Sequence, residues 1–240
     1  MPTANTNLAE TSTEFLRYLD DWYAGLPSLE LEGVIASHPE RVAIFCVDMI
    51  NGFCCEGPLA SQRVASIIEP IVTLFRRAYD LGVRNFVLPQ DSHSHDAEEF
   101  KTFPPHAREG TSEAETVQEL KSLPFSDTFV IIKKNSTNPA INTGLGEWMA
   151  AHPEVNTAIV VGDCSDLCTY QMTMHLRLYA NAHDLRNRRV LVPANCVDTF
   201  ELGLHVARDI GARPHPGDFH HVLFLNHMAQ NGIEVVKELV

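Results

Sequence analysis

At 240 residues, with 45% hydrophobic and 20% charged side chains, the chain suits one large or two small soluble domains and can bury a sizeable core. A formal net charge of −13, with no run of Lys or Arg, argues against a nucleic-acid or anionic-membrane surface and favours small-molecule partners. The six cysteines (Cys46, Cys54, Cys55, Cys164, Cys168, Cys196) are scattered and form no C-x-x-C pair; with no signal-like start and no apolar run of membrane-spanning length, a reduced, cytoplasmic protein is expected.

Residues 1–12 are small and polar and read as a frayed terminus. Between 14 and 23, Phe15, Leu16, Leu19, Trp22 and Tyr23 recur at helical spacing, so a leader over 1–40 is expected to dock on its own domain or on a second subunit of a homo-oligomer. The continuous apolar run 42–47 reads as a strand buried on both faces, and Asp48 ends it. A helix is expected over 62–81, kinked or started by Pro70 and closed by Gly82, followed by a strand over 85–88. The polar stretch 91–110 holds three histidines and is too long for an idle connection. A helix over 112–120, a strand over 128–132 that runs into Lys133 and Lys134, and a helix near 146–151 come next.

The β-branched run Ile159, Val160, Val161 ends at Gly162, and a polar turn delivers Cys168 to the start of a helix reaching Ala182. A strand over 189–192, helices over 202–210 and 217–231, and a last strand over 233–236 complete the pattern. Strands alternating with helices call for a three-layer α/β/α sandwich around a mostly parallel, Rossmann-like, six-stranded sheet, with a domain spanning 41–240. Ligands bind beyond the carboxyl ends of such strands. Asp48, Asp91, Lys133 or Lys134, and Cys168 all stand at such ends.

A cysteine at a strand-to-helix junction has the positive end of the helix to favour its thiolate. Attack on a carbonyl also needs a base, a supporting charge and N–H donors for the oxyanion. Cys168, Asp48 and a lysine from the pair can fill the first three roles, and the backbone N–H groups of Cys164 and Cys168 the last.

Three blocks together resemble the isochorismatase-like cysteine hydrolases, most of all the nicotinamidases, from about Arg41 to the C-terminus. V-D-M-I-N-G-F-C, from Val47 to Cys54, is similar to the motif carrying the catalytic acid/base, with Phe53 as the aromatic that packs on the substrate ring. K-N-S-T-N, from Lys134 to Asn138, resembles the lysine segment and selects Lys134 over Lys133. G-D-C-S-D-L-C-T, from Gly162 to Thr169, resembles the nucleophile motif, which implies a cis peptide between Asp163 and Cys164.

D-S-H at 91–93 with E-F-K-T-F-P-P-H at 99–106 resembles the nicotinamidase metal loop. The resemblance implies one divalent ion (Zn, Mn or Fe) held by Asp91, His93, Glu99 and His106, with His95 ranked below Glu99, and Phe103 beside Phe53 as a substrate contact. The implied activity is hydrolysis of nicotinamide to nicotinate and ammonia through a cysteine thioester. Ser92, Ala107 and Pro139-Ala140-Ile141 depart from the family pattern around the substrate pocket. The alternatives are a different small amide, carbamoyl compound or vinyl ether, or a catalytically silent metal-binding or structural member.

Overall fold

The first strand, β1 (Val42–Val47), is buried at every position and divides its side chains between two cores. Val42, Ile44 and Cys46 enter one; Ala43, Phe45 and Val47 enter the other. A strand covered on both faces has no position for a polar side chain, which is why its sequence is uniformly apolar instead of alternating. The computed structural model describes residues 7–240. In it β1 is central in a parallel sheet with β2 (Asn85–Asp91), β3 (Val130–Lys134), β4 (Thr157–Asp163), β5 (Arg189–Pro193), β6 (Val197–Asp198) and β7 (Glu234–Val236). The order is β3-β2-β1-β4-β5-β7, and the two-residue β6 pairs with the end of β4. All six expected strands are present, and β6 is an addition too short to show in a hydrophobic pattern.

Ahead of the sheet, α1 (Thr13–Ala24) lies on the domain surface. The helix α2 (Ile68–Asp80) covers the Ile44 side with Ile71, Leu74, Phe75 and Ala78. On the Phe45 side lie α3 (Leu145–Ala151), α4 (Cys168–Ala182) and α5 (Gly217–Gln230), contributing Trp148, Met172, Leu176, Leu225 and Met228. The architecture is therefore the expected three-layer α/β/α sandwich. Among the described residues no helix is long and apolar enough to cross a membrane.

Several boundaries differ from the sequence reading, each for a local reason. The helix expected over 62–81 is two, Gln62–Ser66 and α2, so that Pro70 falls in the first turn of α2, where its missing N–H leaves no helical bond unmade. The helix expected over 112–120 is broken because the Val117 N–H donates to Met49 O and Asn51 N–H to Glu115 O, leaving two short turns at Ser112–Ala114 and Gln118–Lys121. The third strand starts at Val130 and extends through both lysines, since Ser126–Thr128 closes into a 3-10 turn and pairing with β2 continues to Asp91 opposite Lys134. The helix expected over 202–210 begins at Leu204, because Leu202 exchanges backbone hydrogen bonds with His215.

Of the terminus expected to be frayed, residues 1–6 lie outside the described residues, and Leu8–Thr11 forms one exposed helical turn. The leader docks on its own chain. Leu19 of α1 is buried, and Tyr23 Oη is 3.1 Å from His221 Nε2 on α5. Leu31, Val34 and Ile35 then join the core beside β1, and Leu31 N–H donates to Val240 O at 2.8 Å.

At the end of β4 the chain comes very close to β1. Gly162 adopts φ +107, and a Cβ there would lie 2.0 Å from Val47 O and 2.7 Å from Val47 N. We expect Gly162→Ala to destabilise the protein by at least about 3 kcal/mol in a denaturant titration, through steric overlap and a strained backbone. Gly146→Ala, on the open face of α3 with nothing within 4 Å, should be neutral or stabilising by up to about 1 kcal/mol. Equal effects at the two positions would contradict the close approach.

Candidate active site

Four adjacent strands bring their ends together. Lys134 closes β3, Asp91 closes β2, Asp48 follows β1, and the turn after β4 leads to Cys168 at the start of α4. The Lys134 ammonium is fully buried and stands 2.7 Å from Asp48 Oδ2, 2.6 Å from Asp91 Oδ1 and 3.4 Å from Cys168 Sγ. Asp48 is anchored on its other oxygen, where the Asp91 N–H donates to Oδ1 at 2.8 Å, while its own N–H donates to Pro89 O at 2.9 Å. It reaches this position with φ +54, a left-handed conformation that turns the chain out of β1. Strand pleat decides between the lysines: Ile132 and Lys134 point inward, and Lys133 points to solvent, where it pairs with Glu109 at 2.8 Å.

Burial governs the electrostatics. It raises the Asp48 carboxyl to about 7, with the Asp91 charge adding and Lys134 opposing. Burial would lower the Lys134 ammonium, but Asp48, Asp91 and Cys168 outweigh it and hold the group above its ordinary range. Asp91 is held low despite burial because it draws on both Lys134 and His93. One ammonium cannot fully neutralise two carboxylates that stand 2.7 and 2.6 Å from it. The Cys168 thiol is pushed well up by burial, with Lys134 pulling the other way. Burial thus opposes the thiolate that a helix terminus favours. A protonated thiol beside a carboxylate that titrates near neutrality is an arrangement for proton transfer.

The polar loop folds back on itself. His93 N–H donates to Ala107 O and Glu109 N–H donates to His93 O, both at 2.9 Å, which sets the His93 and His106 rings 4.6 Å apart. Asn135 Oδ1 accepts from Ser94 N–H at 3.2 Å, so its oxygen faces the loop and takes the His93 Nδ1 proton at 3.0 Å. His106 Nδ1–H donates to Pro104 O at 2.8 Å. With Nδ1 as the donor in each ring, Nε2 is the atom left to bind an ion when the imidazole is neutral; at His93 burial favours the neutral ring, while Asp91 raises the proton affinity, so a proton and an ion compete there. His93 Nε2 is buried without a hydrogen-bond partner, 3.5 Å from Asp91 Oδ1, and ligand atoms of Asp91, His93 and His106 all lie within 4.8 Å of one another. Two imidazoles and a carboxylate at that spacing fit a divalent transition metal.

Glu99, on the 3-10 turn Glu98–Lys101, is half-buried and outside this close set; burial and Asp91 raise its carboxyl. His95 is exposed and apart from it. The Phe53 ring lies 5.5 Å from His106 and the Phe103 ring 6.3 Å, while Phe100, which the sequence did not single out, is 5.5 Å from His93 and 5.7 Å from His106. The Asp163–Cys164 peptide is cis, and the N–H groups of Cys164 and Cys168 have no acceptor among the described residues. Sequence reasoning also missed Asn135, although it adjoins Lys134, and Asp163, whose buried carboxyl has no hydrogen-bond partner among the described residues. Burial and the Asp48 charge raise Asp163 well above the carboxylate range.

A family model described as the Isochorismatase domain matches residues 42–237. Nicotinamidase 1 of Arabidopsis thaliana is 30% identical over 237 residues, covering 89% of this chain and 93% of that protein. Among solved structures, the nicotinamidase of Bacillus subtilis superposes with a TM-score of 0.62 at 22% identity, covering 82% of this chain and 99% of that one. The pyrazinamidase of Pyrococcus horikoshii in complex with zinc gives 0.63 at 21%, again over 82% and 99%. N-carbamoylsarcosine amidase of Thermoplasma acidophilum gives 0.62 at 20%, over 82% and 96%. At such identities the structures establish a shared fold. With the family model spanning β1 to β7 and a curated relative matched over most of both chains, the protein belongs to the isochorismatase family and is a hydrolase of that family.

Proposed function

We propose that the protein hydrolyses nicotinamide to nicotinate and ammonia through a thioester on Cys168, with residues 41–240 as the hydrolase domain and the leader bracing it. The observation that carries the reading is the buried Lys134 ammonium meeting Asp48, Asp91 and Cys168, with Asp91 continuing toward the two imidazoles of His93 and His106. The Arabidopsis relative is named as a nicotinamidase, which supports the choice of substrate. All six cysteines are unpaired, which suits the reducing cytoplasm to which we assign the enzyme.

Asp48 takes the thiol proton as Cys168 Sγ bonds to the carboxamide carbon. The N–H groups of Cys164 and Cys168 stabilise the oxyanion. Asp48 then delivers its proton to the amide nitrogen, the C–N bond breaks, and ammonia leaves a thioester. Water attacks that thioester and gives one proton to Asp48; the C–S bond breaks, that proton returns to sulfur, and the product acid releases its remaining proton to solvent as nicotinate. Lys134 stays protonated throughout, orienting Asp48 and limiting the cost of charge on sulfur. Asp91, His93 and His106, with Glu99 at the margin, would hold one divalent ion, zinc, manganese or iron, whose Lewis acidity when bound would fix the pyridine nitrogen. Phe53, Phe100 and Phe103 would flank the ring.

Ammonia release from nicotinamide by purified protein, with its metal content measured, tests substrate and site together. Cys168→Ala should abolish turnover in a folded protein, and Asp48→Asn should lower kcat by at least about 100-fold, because an amide cannot accept the thiol proton. Lys134→Ala should be comparably severe per folded molecule, and Lys133→Ala within about twofold, as its exposed ion pair contributes little. The opposite order for the two lysines would refute the assignment. Turnover of a carbamoyl compound but not of nicotinamide would redirect the substrate and leave the thioester chemistry intact.

For the metal group, the His93→Ala, His106→Ala double variant should bind no ion. Glu99→Ala should weaken binding by about tenfold without abolishing it, and His95→Ala should leave metal content unchanged. Stoichiometric metal in the double variant, measured by elemental analysis, would sink this ligand set.

A further inference from the structure

Between Cys164 and Cys168 the chain makes a turn whose inner side is the active site. Its outer side is held by three histidines from the segment 215–221. Asp166, buried in that turn, accepts from His215 Nε2 at 2.7 Å and from His220 Nδ1 at 3.0 Å, both on Oδ2. Ser165 Oγ meets His221 Nδ1 at 3.1 Å, and His221 Nε2 in turn meets Tyr23 Oη of α1. His215 is itself rigidly placed. Its backbone exchanges two hydrogen bonds with Leu202, and its ring stacks on Phe200 at 3.8 Å.

Counting protons makes His215 the most informative member. Its Nδ1 is 2.9 Å from Phe200 O, and a carbonyl can only accept, so Nδ1 carries a hydrogen. Its Nε2 faces an ionised carboxylate and must carry one as well. The ring is therefore an imidazolium in this arrangement, and losing either proton forfeits one of the two bonds. The surrounding charges favour that state: burial opposes it, but Asp166 and the more distant Glu201 raise the His215 proton affinity. The other titratable groups nearby are His220 on α5, its ring 4.2 Å from that of His215, and, on the second arm, His221 with Asp198 and Arg63. Asp166 is held low, burial notwithstanding, above all by its bond to His215, with His220 adding.

We propose that His215 is a positioning residue: as a cation bonded to Asp166 it fixes the Cys164–Cys168 turn so that the Cys168 thiol and the two backbone donors meet the substrate carbonyl. This rests on Cys168 being the nucleophile of the proposed reaction. Misplacing reacting groups by about 1 Å costs on the order of 100-fold in rate, so a loosened turn shows in kcat more than in KM. Deprotonation of His215 removes its charge and one of its two hydrogen bonds and so loosens the clamp, and the wild-type kcat descends on the alkaline side.

The test compares His215→Ala, His215→Gln and Asp166→Asn with the wild type, using kcat and KM for nicotinamide across pH and the rate of Cys168 alkylation by iodoacetamide, read by peptide mass spectrometry. His215→Ala should lower kcat at least about tenfold per folded molecule with KM within about threefold, and slow alkylation in parallel. His215→Gln keeps a donor toward Asp166 without titrating, so it should recover part of kcat and lose the alkaline descent. Asp166→Asn, nearly isosteric, should behave like His215→Ala and decides the matter if the alanine variant does not fold. Unchanged kcat and alkylation in folded His215→Ala or Asp166→Asn, or an alkaline descent that survives in His215→Gln, overturns the proposal. If the wild type releases no ammonia from nicotinamide, the substrate reading fails on its own. Slower alkylation in the variants then still supports the clamp, and unchanged alkylation refutes it.

Discussion

The structure turns on one buried ammonium. Lys134 Nζ has three protons and, in a region without solvent, three partners: Asp48, Asp91 and Cys168. Each comes from a different segment of the sheet edge, so the ammonium ties β1, β2, β3 and α4 to one point. Without it two carboxylates would face each other in a medium of low polarity, where an unpaired buried charge is among the costliest defects a fold can carry. The same ion pair that makes the chemistry conceivable therefore also fixes the register of β3 against β2.

Asp91 joins two groups that would otherwise be separate. Its Oδ1 lies against Lys134 on one side and 3.5 Å from His93 Nε2 on the other. Charge placed at the imidazoles is felt at Lys134 and, through it, at Asp48. The backbone N–H of Asp91 also bonds to Asp48 Oδ1, so the contact between the two acids is mechanical as well as electrostatic.

The sheet was legible because its central strands are buried on both faces and leave an unbroken apolar record, as in V-A-I-F-C-V and T-A-I-V-V. The convergence of Asp48, Asp91, a lysine and Cys168 followed from strand ends alone. The choice of Lys134 over Lys133 came from the K-N-S-T-N segment and not from strand ends, because β3 is an edge strand with Val130 and Ile131 exposed and its apolar pattern does not show which lysine turns inward. The thiolate inferred at Cys168 came from helix polarity without the desolvation that a sequence does not display. Glu99 matched a motif but rides on a 3-10 turn outside the close ligand group. The pairing of Asp166 with His215 spans 49 residues of sequence and leaves no local signature.

The residues before β1 bear on how this fold can be cut. Leu31 is wholly buried and Ile35 nearly so, and Leu29 and Leu31 bond along the final residues from Glu238 to Val240. The segment 29–31 thus pairs with residues 238–240 at the margin of the core. A polypeptide trimmed to the family-matched span of 42–237 would keep every group named in the chemistry yet remove Leu31, Val34, Ile35 and Leu239 from the buried cluster that holds Val42, Ile44 and Phe75.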